Sequence, residues 1–548
     1  MLIVCGFAHD SQIPLSFGMK PSLDWKDCGT VDGRTLQCSQ LDVPMDHFHT
    51  SVDNIFTLPL IRLVGNNASS TGDRHILFNP GGPGGSGVGL IRGRGSQLNK
   101  IIGEEFHLLG FDPRGVVGSI PQANCYPSNT KRVEAFLTNP WDVYYEAGEM
   151  YTRAENKVKA CGEIMGERGH YINTPQTAAD MNSILDALGQ EKMYYWGFSY
   201  GTALGQTYAQ MFPGRVSRLI IDGVLNLDEW YNNFMIREYL TDIDRIFAGF
   251  LDECLKAGVA CPLKSIGGRR FESSSELRDY LEDFLSQLEE EPIPVYINNA
   301  TYGAVTRHNL VTNGIFFGLY SPSLWPSLAH NLAELLKGNS TPVFTEYSKS
   351  WALDVLSDDS NTFIILNDNR KTGPGAPIRG IKAVQNFTLS RPEMSYLMSR
   401  YEGSEIYDRA SWSIPTTHDF HPRYYPNFPP TRTAEPILVL STSWDPVCPL
   451  TSAKKARDSF EGAGFVEQKS YGHCTMSMPS LCTAKHVKRY FNEGKLPEDG
   501  STCSIDADYF QAENRPSTLS EEDEELLANL HVLASRGVVT PPFRFTGI

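Results

Sequence analysis

The residues most able to do chemistry centre on a serine flanked by glycines. The motif Gly197-Phe198-Ser199-Tyr200-Gly201 follows the apolar run Met193–Trp196 and precedes a helical pattern, Thr202–Met211. A serine in a tight strand-to-helix turn is held at the end of a sheet, and the turn needs small residues two positions to either side because strand and helix approach closely there. The pattern predicts that Ser199 is a nucleophile. The competing interpretation is an ordinary turn with an inert serine.

A serine nucleophile needs a base and an orienting acid, and candidates for both occur late in the chain. Asp445 stands just after the apolar run Pro436–Leu440, and His473 stands in a glycine turn after Phe465–Gln468. We expect His473 to take the hydroxyl proton of Ser199 and to return it to the leaving group, while Asp445 fixes the tautomer of the imidazole.

Other acids and histidines compete for these roles. Asp112 and Asp222 also follow apolar strands, and we interpret them as turn caps, with Asp222 as the reserve acid if Asp445 is not used. Four histidines in early strands or in a later linker are interpreted as structural or solvated: His75, His107, His418 and His421.

A glycine-rich loop, Asn79–Gly87 (NPGGPGGSG), follows the predicted strand His75–Phe78. Such a loop can point backbone N–H groups at a developing oxyanion, and we predict the amides of Gly82 and Tyr200 as the donors. A phosphate-binding loop and a merely flexible loop are the alternatives, but the Lys-Ser/Thr ending of a P-loop is missing. No Cys-x-x-Cys or Cys/His cluster has zinc spacing, so we predict neither a cofactor nor a metal.

These residues need a scaffold that brings distant loops together. Short apolar strands alternate with helical stretches, such as Thr177–Gly189, from about residue 55 to 225, which indicates an α/β fold with a mostly parallel central sheet. Helical periodicity, as in Leu277–Leu288, then predicts a large, mainly helical inserted cap. The predicted divisions are residues 1–225 and 431–510 for the two parts of the core, 226–430 for the cap and 511–548 for a peripheral tail.

Composition limits the partners. The chain has 548 residues, a formal net charge of −16 and no conspicuous Lys/Arg block, so nucleic acid and anionic membrane surfaces are not expected partners. The apolar run Leu2–Ala8 is far shorter than the roughly 18 residues of a membrane span, and as a signal peptide it is weak or truncated.

Cysteine spacing and sequons favour export. The eleven cysteines include three closely spaced pairs that suit disulfides in an oxidising compartment: Cys28 with Cys38, Cys254 with Cys261, and Cys482 with Cys503. The alternative is a set of reduced, buried thiols. Four N-x-S/T sequons begin at Asn67, Asn299, Asn339 and Asn386 and give mild support for a secreted glycoprotein.

With these residues placed, the chain resembles the tripeptidyl-aminopeptidase and proline-iminopeptidase branch of serine peptidases, the S33-type hydrolases with the α/β-hydrolase fold. The matching motifs are NPGGPGGSG at Asn79–Gly87, DPRGVVGS at Asp112–Ser119, GFSYG at Gly197–Gly201, and the late WDPVCPL and YGHC. Residues from about Glu435 to Cys503 are similar to the C-terminal TAP-like module of that family.

The chain also departs from the family pattern. A cysteine that relatives often carry near the position of Leu366 is missing, as is its partner shortly before Trp412. Cys448 replaces the threonine usual after the acid, and Cys474 is an unusual thiol beside His473.

The resemblance implies an exopeptidase that removes residues from free amino termini. An aminopeptidase must hold the substrate's ammonium with carboxylates of the cap, where the candidates are Glu229, Asp242, Asp244 and Glu253. Since relatives include esterases, an esterase or lactonase acting on small molecules is the second hypothesis, so the expected substrate is a peptide or a small-molecule ester or amide. A third, a catalytically dead binding protein, is disfavoured by the intact Ser, Asp and His.

Overall fold

The computed structural model describes residues 23–49, 54–137, 146–232, 238–348, 358–369, 378–390, 395–398, 404–424, 426–510 and 519–536. The run Leu2–Ala8 lies outside the described residues, as do residues 511–518 and 537–548 of the predicted tail. Among the described helices, none is both long enough and apolar enough to cross a bilayer.

The strands follow one another along the chain as β1 Lys26–Val31, β2 Arg34–Pro44, β3 Ile55–Leu63, β4 His75–Asn79, β5 His107–Phe111, β6 Met193–Phe198, β7 Val216–Asp222, β8 Ser265–Ile266, β9 Arg269–Arg270, β10 Ile293–Asn298, β11 Thr301–Val305, β12 Leu438–Trp444, β13 Gly464–Tyr471 and β14 Thr502–Ser504. In the described part of the chain, ten of them form one sheet, in the order β1-β2-β3-β5-β4-β6-β7-β12-β13-β14. From β5 to β14 all neighbouring strands are parallel, as predicted.

The antiparallel strands β1, β2 and β3 at one edge of the sheet were not predicted from the sequence. Strand β1 is mostly exposed, and β2 mixes buried with partly exposed positions, so neither shows the continuous apolar run of a central parallel strand. An edge strand with one solvated side carries a weaker pattern for this reason.

Helices cover both faces of the sheet and form about half of the described residues between β7 and β12. The α-helices are Gly87–Ile102, Asn129–Leu137, Ala147–Met165, Thr174–Leu188, Tyr200–Met211, Leu227–Asn232, Ile243–Lys256, Ser274–Glu290, Arg307–Asn309, Phe316–Tyr320, Trp325–Leu336, Thr341–Tyr347, Ser360–Asp368, Ile381–Ser390, Ser404–Ser411, Leu450–Asp458, Leu481–Glu493 and Glu521–Arg536.

Successive side chains of each strand point to opposite faces of the sheet, which divides the core into two layers. Ile76 and Phe78 point to one face of the sheet, where they pack with helices Gly87–Ile102, Leu481–Glu493 and Glu521–Arg536. Leu77 points to the other face, where helices Thr174–Leu188 and Tyr200–Met211 cover the sheet. Because successive side chains of a strand lie on opposite faces, strands buried on both faces show continuous apolar runs.

The inserted region contains two described parts that pack differently. Residues between Leu240 and Tyr347, joined by Leu397, Met398 and Phe510, form a second apolar cluster, built by helices such as Ile243–Lys256 and Ser274–Glu290. Helix Ser360–Asp368 and Trp412 instead join the apolar cluster of the core. The cap boundaries at residues 226 and 430 stay a prediction. The part from Leu240 to Tyr347 is the part whose apolar cluster is distinct from that of the main sheet.

The three predicted disulfides are formed, between Cys28 and Cys38, Cys254 and Cys261, and Cys482 and Cys503. A fourth, Cys125–Cys161, was not predicted, because its two cysteines lie far apart in sequence. It joins the segment after β5 to helix Ala147–Met165, where both residues are buried.

Two stacked histidines lie at the start of neighbouring strands. His75 and His107 are 5% and 6% exposed, and their ring centroids are 4.5 Å apart. Burial, helped by the positive charge of Arg62, lowers the pKa of His107 to about 4, and burial with the charges of His107 and Arg62 lowers that of His75 well below its ordinary value. Contacts with Asp73 oppose both shifts. Both imidazoles are therefore neutral in the folded protein at neutral pH.

This pair predicts a loss of stability in mild acid. Below about pH 6.5 the unfolded chain binds protons at these positions that the folded chain does not, so stability falls as pH drops toward 4, by about 1.4 kcal/mol per pH unit for each histidine. Urea unfolding between pH 7 and pH 4.5 should show a shallower pH dependence in a His75→Gln/His107→Gln variant. The exposed His49→Gln is the control, and an unchanged slope in the double variant would contradict the prediction.

Candidate active site

Ser199 occupies a strained turn between β6 and helix Tyr200–Met211. Its φ is 55° and its ψ is −124°, a conformation that non-glycine residues rarely adopt. A Cβ on Gly197 would collide with the carbonyl of Gly201, and a Cβ on Gly201 would lie 2.7 Å from the Asn79 carbonyl oxygen. Both glycines are thus required by close backbone contacts, as the motif predicts.

The glycine-rich loop after β4 packs directly against this turn. A Cβ on Gly81 would lie 2.8 Å from the Cβ of Ser199 and 3.1 Å from the amide nitrogen of Tyr200. Tyr200 is the first residue of its helix, so its N–H has no intrahelical acceptor. The structure therefore places Gly81, the neighbour of Gly82, and the Tyr200 amide side by side at Ser199.

Hydrogen bonds to the carboxylate of Asp112 fix the glycine-rich loop. Its carboxylate accepts hydrogen bonds from the Ser86 hydroxyl at 2.6 Å and from the amides of Val88 and Gly118, both at 3.1 Å. Asp112 thus caps turns, as predicted, while the neighbouring Arg114 instead forms a buried bidentate ion pair with Asp180.

His473 and Asp445 are in direct contact. The Nδ1 atom of His473 lies 2.9 Å from each carboxylate oxygen of Asp445, and the two residues are 4% and 0% exposed. An ionised carboxylate can only accept, so the proton sits on Nδ1 and Nε2 is left as the basic atom. This is the orientation that a general base needs.

Backbone amides also stabilise the negative charge of the Asp445 carboxylate. It accepts hydrogen bonds from Val447 at 2.9 Å, Cys448 at 2.8 Å and Cys474 at 3.0 Å. The loops after β12 and β13 therefore both fold around the same carboxylate.

Asp222, the reserve acid, has a different position. Its side chain accepts from the amide and the hydroxyl of Thr475, at 2.8 and 2.6 Å, and its carbonyl accepts from the amide of Ser199 at 3.0 Å. Burial raises the pKa of Asp222 to about 6, although the bonds from Thr475 lower it. Asp222 links the serine turn to the histidine loop and does not contact the imidazole through a hydrogen bond.

The inserted region contributes contacts that sequence reasoning missed. The carbonyl of Tyr320 accepts from the His473 amide at 2.8 Å, and the Tyr320 ring meets the imidazole edge-on at 4.9 Å. Asn361 donates to the carbonyl of Pro83 at 3.0 Å. Nothing in the sequence around these residues distinguishes them, because their role arises only from how the insertion packs.

Cys448 also lies in this site. Its sulfur, a ring nitrogen of His473 and a carboxylate oxygen of Asp445 all lie within 4.8 Å of one another. These are ligand types that a metal ion uses. A second such group among the described residues, Cys482, His486 and Cys503, contains sulfurs already joined in a disulfide.

Comparisons with known proteins agree with this architecture. A family model for the alpha/beta hydrolase fold matches residues 74–259, and a model for TAP-like proteins matches residues 407–503. The serine protease Hip1 of Mycobacterium tuberculosis is 26% identical over 503 residues, covering 88% of this chain and 91% of that protein. Carboxylesterase B of the same species is 26% identical over 511 residues, covering 90% and 92%.

A tripeptidyl aminopeptidase of Streptomyces lividans is 32% identical over 244 residues, which is 41% of this chain and 43% of that protein. These matches confirm the predicted resemblance to TAP-like serine hydrolases. The chain has the α/β-hydrolase fold and carries a TAP-like C-terminal module, whose match begins earlier than the predicted start near Glu435.

The geometry predicts different consequences for the two buried acids. Asp445→Asn should lower kcat by about 10³- to 10⁴-fold, because an amide cannot hold the productive tautomer of His473. Asp222→Asn should cause a smaller loss, since it weakens only the link to Thr475. Steady-state kinetics with circular dichroism of each variant test this, and a larger loss in Asp222→Asn would reverse the assignment of the acid.

Proposed function

We propose that this TAP-like serine hydrolase of the α/β-hydrolase fold is an aminopeptidase that releases residues or short peptides from free amino termini through an acyl-enzyme on Ser199. The proposal joins the triad predicted from the sequence to the placement of carboxylates near it. Its mechanism follows from the geometry of the loops that meet at the end of the sheet.

In the proposed acylation step, the Ser199 oxygen attacks the scissile carbonyl while Nε2 of His473 takes the hydroxyl proton. The amides of Gly82 and Tyr200 donate to the oxyanion, and Asp445 stabilises the imidazolium. The imidazolium then protonates the leaving amine, which departs and leaves the amino-terminal fragment as an ester on Ser199. Water attacks this ester with His473 again as base, and Ser199 is regenerated.

The substrate's ammonium needs an available carboxylate, and the four candidate acids differ in this respect. Asp244 accepts from the hydroxyl of Ser395 and the amide of Tyr396, Glu253 pairs with Lys256, and Glu229 accepts from the amide of Glu238. The Asp242 carboxylate forms no hydrogen bond or salt bridge with any residue in the described ranges.

Asp242 is also close to the triad. Burial, together with the negative charge of Asp445, raises its pKa to about 6, although the charge of Arg245 opposes the shift. The Arg245 guanidinium in turn lies 3.4 Å from the centroid of the Trp444 ring, so the start of helix Ile243–Lys256 packs on the loop that carries Asp445. A half-buried carboxylate without a partner is unfavourable until a cation binds it. This unpaired carboxylate is the observation that carries the aminopeptidase proposal.

The comparisons supply support for both candidate activities. The relative from Streptomyces lividans is named a tripeptidyl aminopeptidase, whereas carboxylesterase B resembles a larger share of the chain at lower identity. An esterase acting on small molecules is therefore the second candidate function.

We further propose that the protein is exported. Four disulfides join described residues, which suits an oxidising compartment, and the asparagine of each of the four sequons is exposed.

Paired substrates distinguish the two activities. Tripeptide and single-residue anilides with free amino termini should be hydrolysed, and their N-acetylated counterparts should be poor substrates, because the acetyl group removes the charge that Asp242 binds. Short acyl esters test the esterase activity in the same assay, and Ser199→Ala is the control for the nucleophile. Cleavage of esters without cleavage of free-amine anilides would replace the aminopeptidase proposal by the esterase.

The variant Asp242→Asn tests whether this carboxylate binds the substrate's ammonium. It should lower kcat/KM for free-amine anilides by about 10- to 100-fold, the range of a charge-assisted hydrogen bond, with little effect on acyl esters. Asp252→Asn, an exposed position on the same helix, is the matched control.

Since protonated Asp242 cannot bind the ammonium, kcat/KM for free-amine substrates should also fall as pH drops below about 6, and Asp242→Asn should lose this component. If Asp242→Asn lowered kcat/KM equally for esters and for free-amine anilides, Asp242 would not recognise the ammonium.

A further inference from the structure

The carboxylate of Asp368 lies where the insertion meets the core. Asp368 ends helix Ser360–Asp368 and is 6% exposed. Its Oδ1 atom accepts from the amide of Thr174 at 2.8 Å. Its Oδ2 atom accepts from the hydroxyl of Thr174 and, at 2.8 Å, from the indole N–H of Trp230. Both carboxylate oxygens therefore face hydrogen-bond donors.

These hydrogen bonds continue to Tyr200, the residue after the nucleophile. The hydroxyl oxygens of Thr174 and Tyr200 are 2.6 Å apart, and both residues are buried. Since an ionised carboxylate can only accept, Thr174 gives its one hydroxyl proton to Asp368 and accepts from the phenol of Tyr200. Burial and the charge of Asp368 raise the pKa of Tyr200 well above its ordinary value, so the phenol keeps the proton that it donates. The chain of donors thus runs from Tyr200 through Thr174 to Asp368.

Trp230 connects the same carboxylate to the ring of Tyr200. The ring centroids of Tyr200 and Trp230 are 5.2 Å apart, and the indole of Trp230 is the one that donates to Asp368. The hydroxyl partner of Tyr200 and one of its ring partners are therefore both bound to Asp368.

The position of Tyr200 matters because its backbone adjoins a strained residue. Ser199 has a φ of 55°, and a strained conformation persists only where the surrounding contacts impose it. The amide of Tyr200 is also one of the two proposed oxyanion donors, and such donors are effective when they already point at the oxyanion position before the reaction. Contacts that hold the Tyr200 side chain at its ring and at its hydroxyl restrict the backbone at the same residue.

We propose that Asp368 is a positioning residue that fixes Tyr200 through Thr174 and Trp230, so that the Tyr200 amide points at the oxyanion. The insertion then influences the chemical step through a chain of hydrogen bonds that ends beside the nucleophile. This inference rests on the proposed roles of Ser199 and of the Tyr200 amide, but not on the identity of the substrate.

A purely structural role for this chain predicts a different result. If the chain only stabilises the fold, its loss lowers the thermal midpoint, and the folded enzyme keeps its activity on every substrate. Positioning of an oxyanion donor instead predicts a loss that depends on the atom that receives the negative charge. Sulfur is a weaker hydrogen-bond acceptor than oxygen, so a thionoester, in which sulfur replaces the carbonyl oxygen, gains less from these donors.

The experiment compares Thr174→Val and Tyr200→Phe with wild type in the full chain, on a nitrophenyl ester and on the matching thionoester. Each change removes one hydroxyl of the chain and little volume. On the oxygen ester, kcat should fall about tenfold with KM unchanged, because a displaced donor loses part of a stabilisation whose complete removal costs about 10²- to 10³-fold. On the thionoester the loss should be about twofold or less. The double variant should lose no more than either single variant, because both changes interrupt the same chain.

The chain also offers matched controls. Thr177→Val removes a buried hydroxyl that donates to the carbonyl of Asn173, and Tyr208→Phe removes a buried phenol hydroxyl that has no partner among the residues that the structure describes. Both controls should keep the wild-type kcat on both esters. Thr174→Ser retains the hydroxyl and should also keep the wild-type kcat.

Asp368→Asn tests the carboxylate directly. Because both oxygens of Asp368 accept, an amide must turn its NH₂ group toward a donor. We therefore expect the same selective loss on the oxygen ester, together with a lower thermal midpoint. If this variant does not fold, the changes at Thr174 and Tyr200 decide the question.

Each other outcome overturns the proposal. Equal losses on both esters, or a lowered thermal midpoint with unchanged kcat, identify the chain as purely structural. Kinetics equal to wild type in Thr174→Val and Tyr200→Phe show that the chain does not position the amide. Ser199→Ala is included because hydrolysis that survives in it refutes the nucleophile assignment itself, an outcome distinct from failure at Asp368.

Discussion

The buried carboxylate of Asp445 is the constraint on which the active-site geometry depends. An uncompensated charge in a protein interior is strongly unfavourable, so a carboxylate that is 0% exposed must be surrounded by donors. Here the donors come from the loop after β12, through Val447 and Cys448, and from the loop after β13, through His473 and Cys474. Satisfying one charge thus fixes two loops relative to each other and orients the imidazole.

The sheet makes this arrangement possible. Strands β4, β6, β7, β12 and β13 are parallel and adjacent in that order, so their carboxyl ends lie along one edge. The glycine loop, the serine turn, Asp222, Asp445 and His473 follow these five strands in turn. Residues that are nearly 400 positions apart in sequence meet because each ends a neighbouring strand.

The insertion and the C-terminal helix complete the site from outside the sheet. The Tyr320 carbonyl binds the His473 amide, and helix Glu521–Arg536 packs near the residues that follow His473, with the Ser323 hydroxyl donating to the Ala534 carbonyl. Within the insertion, Trp412 packs edge-on against Phe363 and donates to Asn367 at 3.0 Å. A ring contact and a hydrogen bond join these two segments without a covalent link.

The sequence by itself determined several of the parallel strands and the candidate triad. Continuous apolar runs followed by turn residues predicted β4 and β6 to within a few residues, because strands buried on both faces carry a strong apolar pattern. Short-range spacing likewise predicted three disulfides, since closely spaced cysteines have few ways to pair.

Only the tertiary structure decided which of the two acids contacts the imidazole of His473 and what each one touches. Asp222 and Asp445 are equivalent in sequence, as acids at strand ends, and they differ only in which loop donors surround them. The unpaired carboxylate of Asp242 and the contacts of Tyr320 with His473 depend on how the insertion packs over the sheet. Local sequence does not encode them, because each contact joins segments whose approach is fixed by burial and charge compensation across the whole fold.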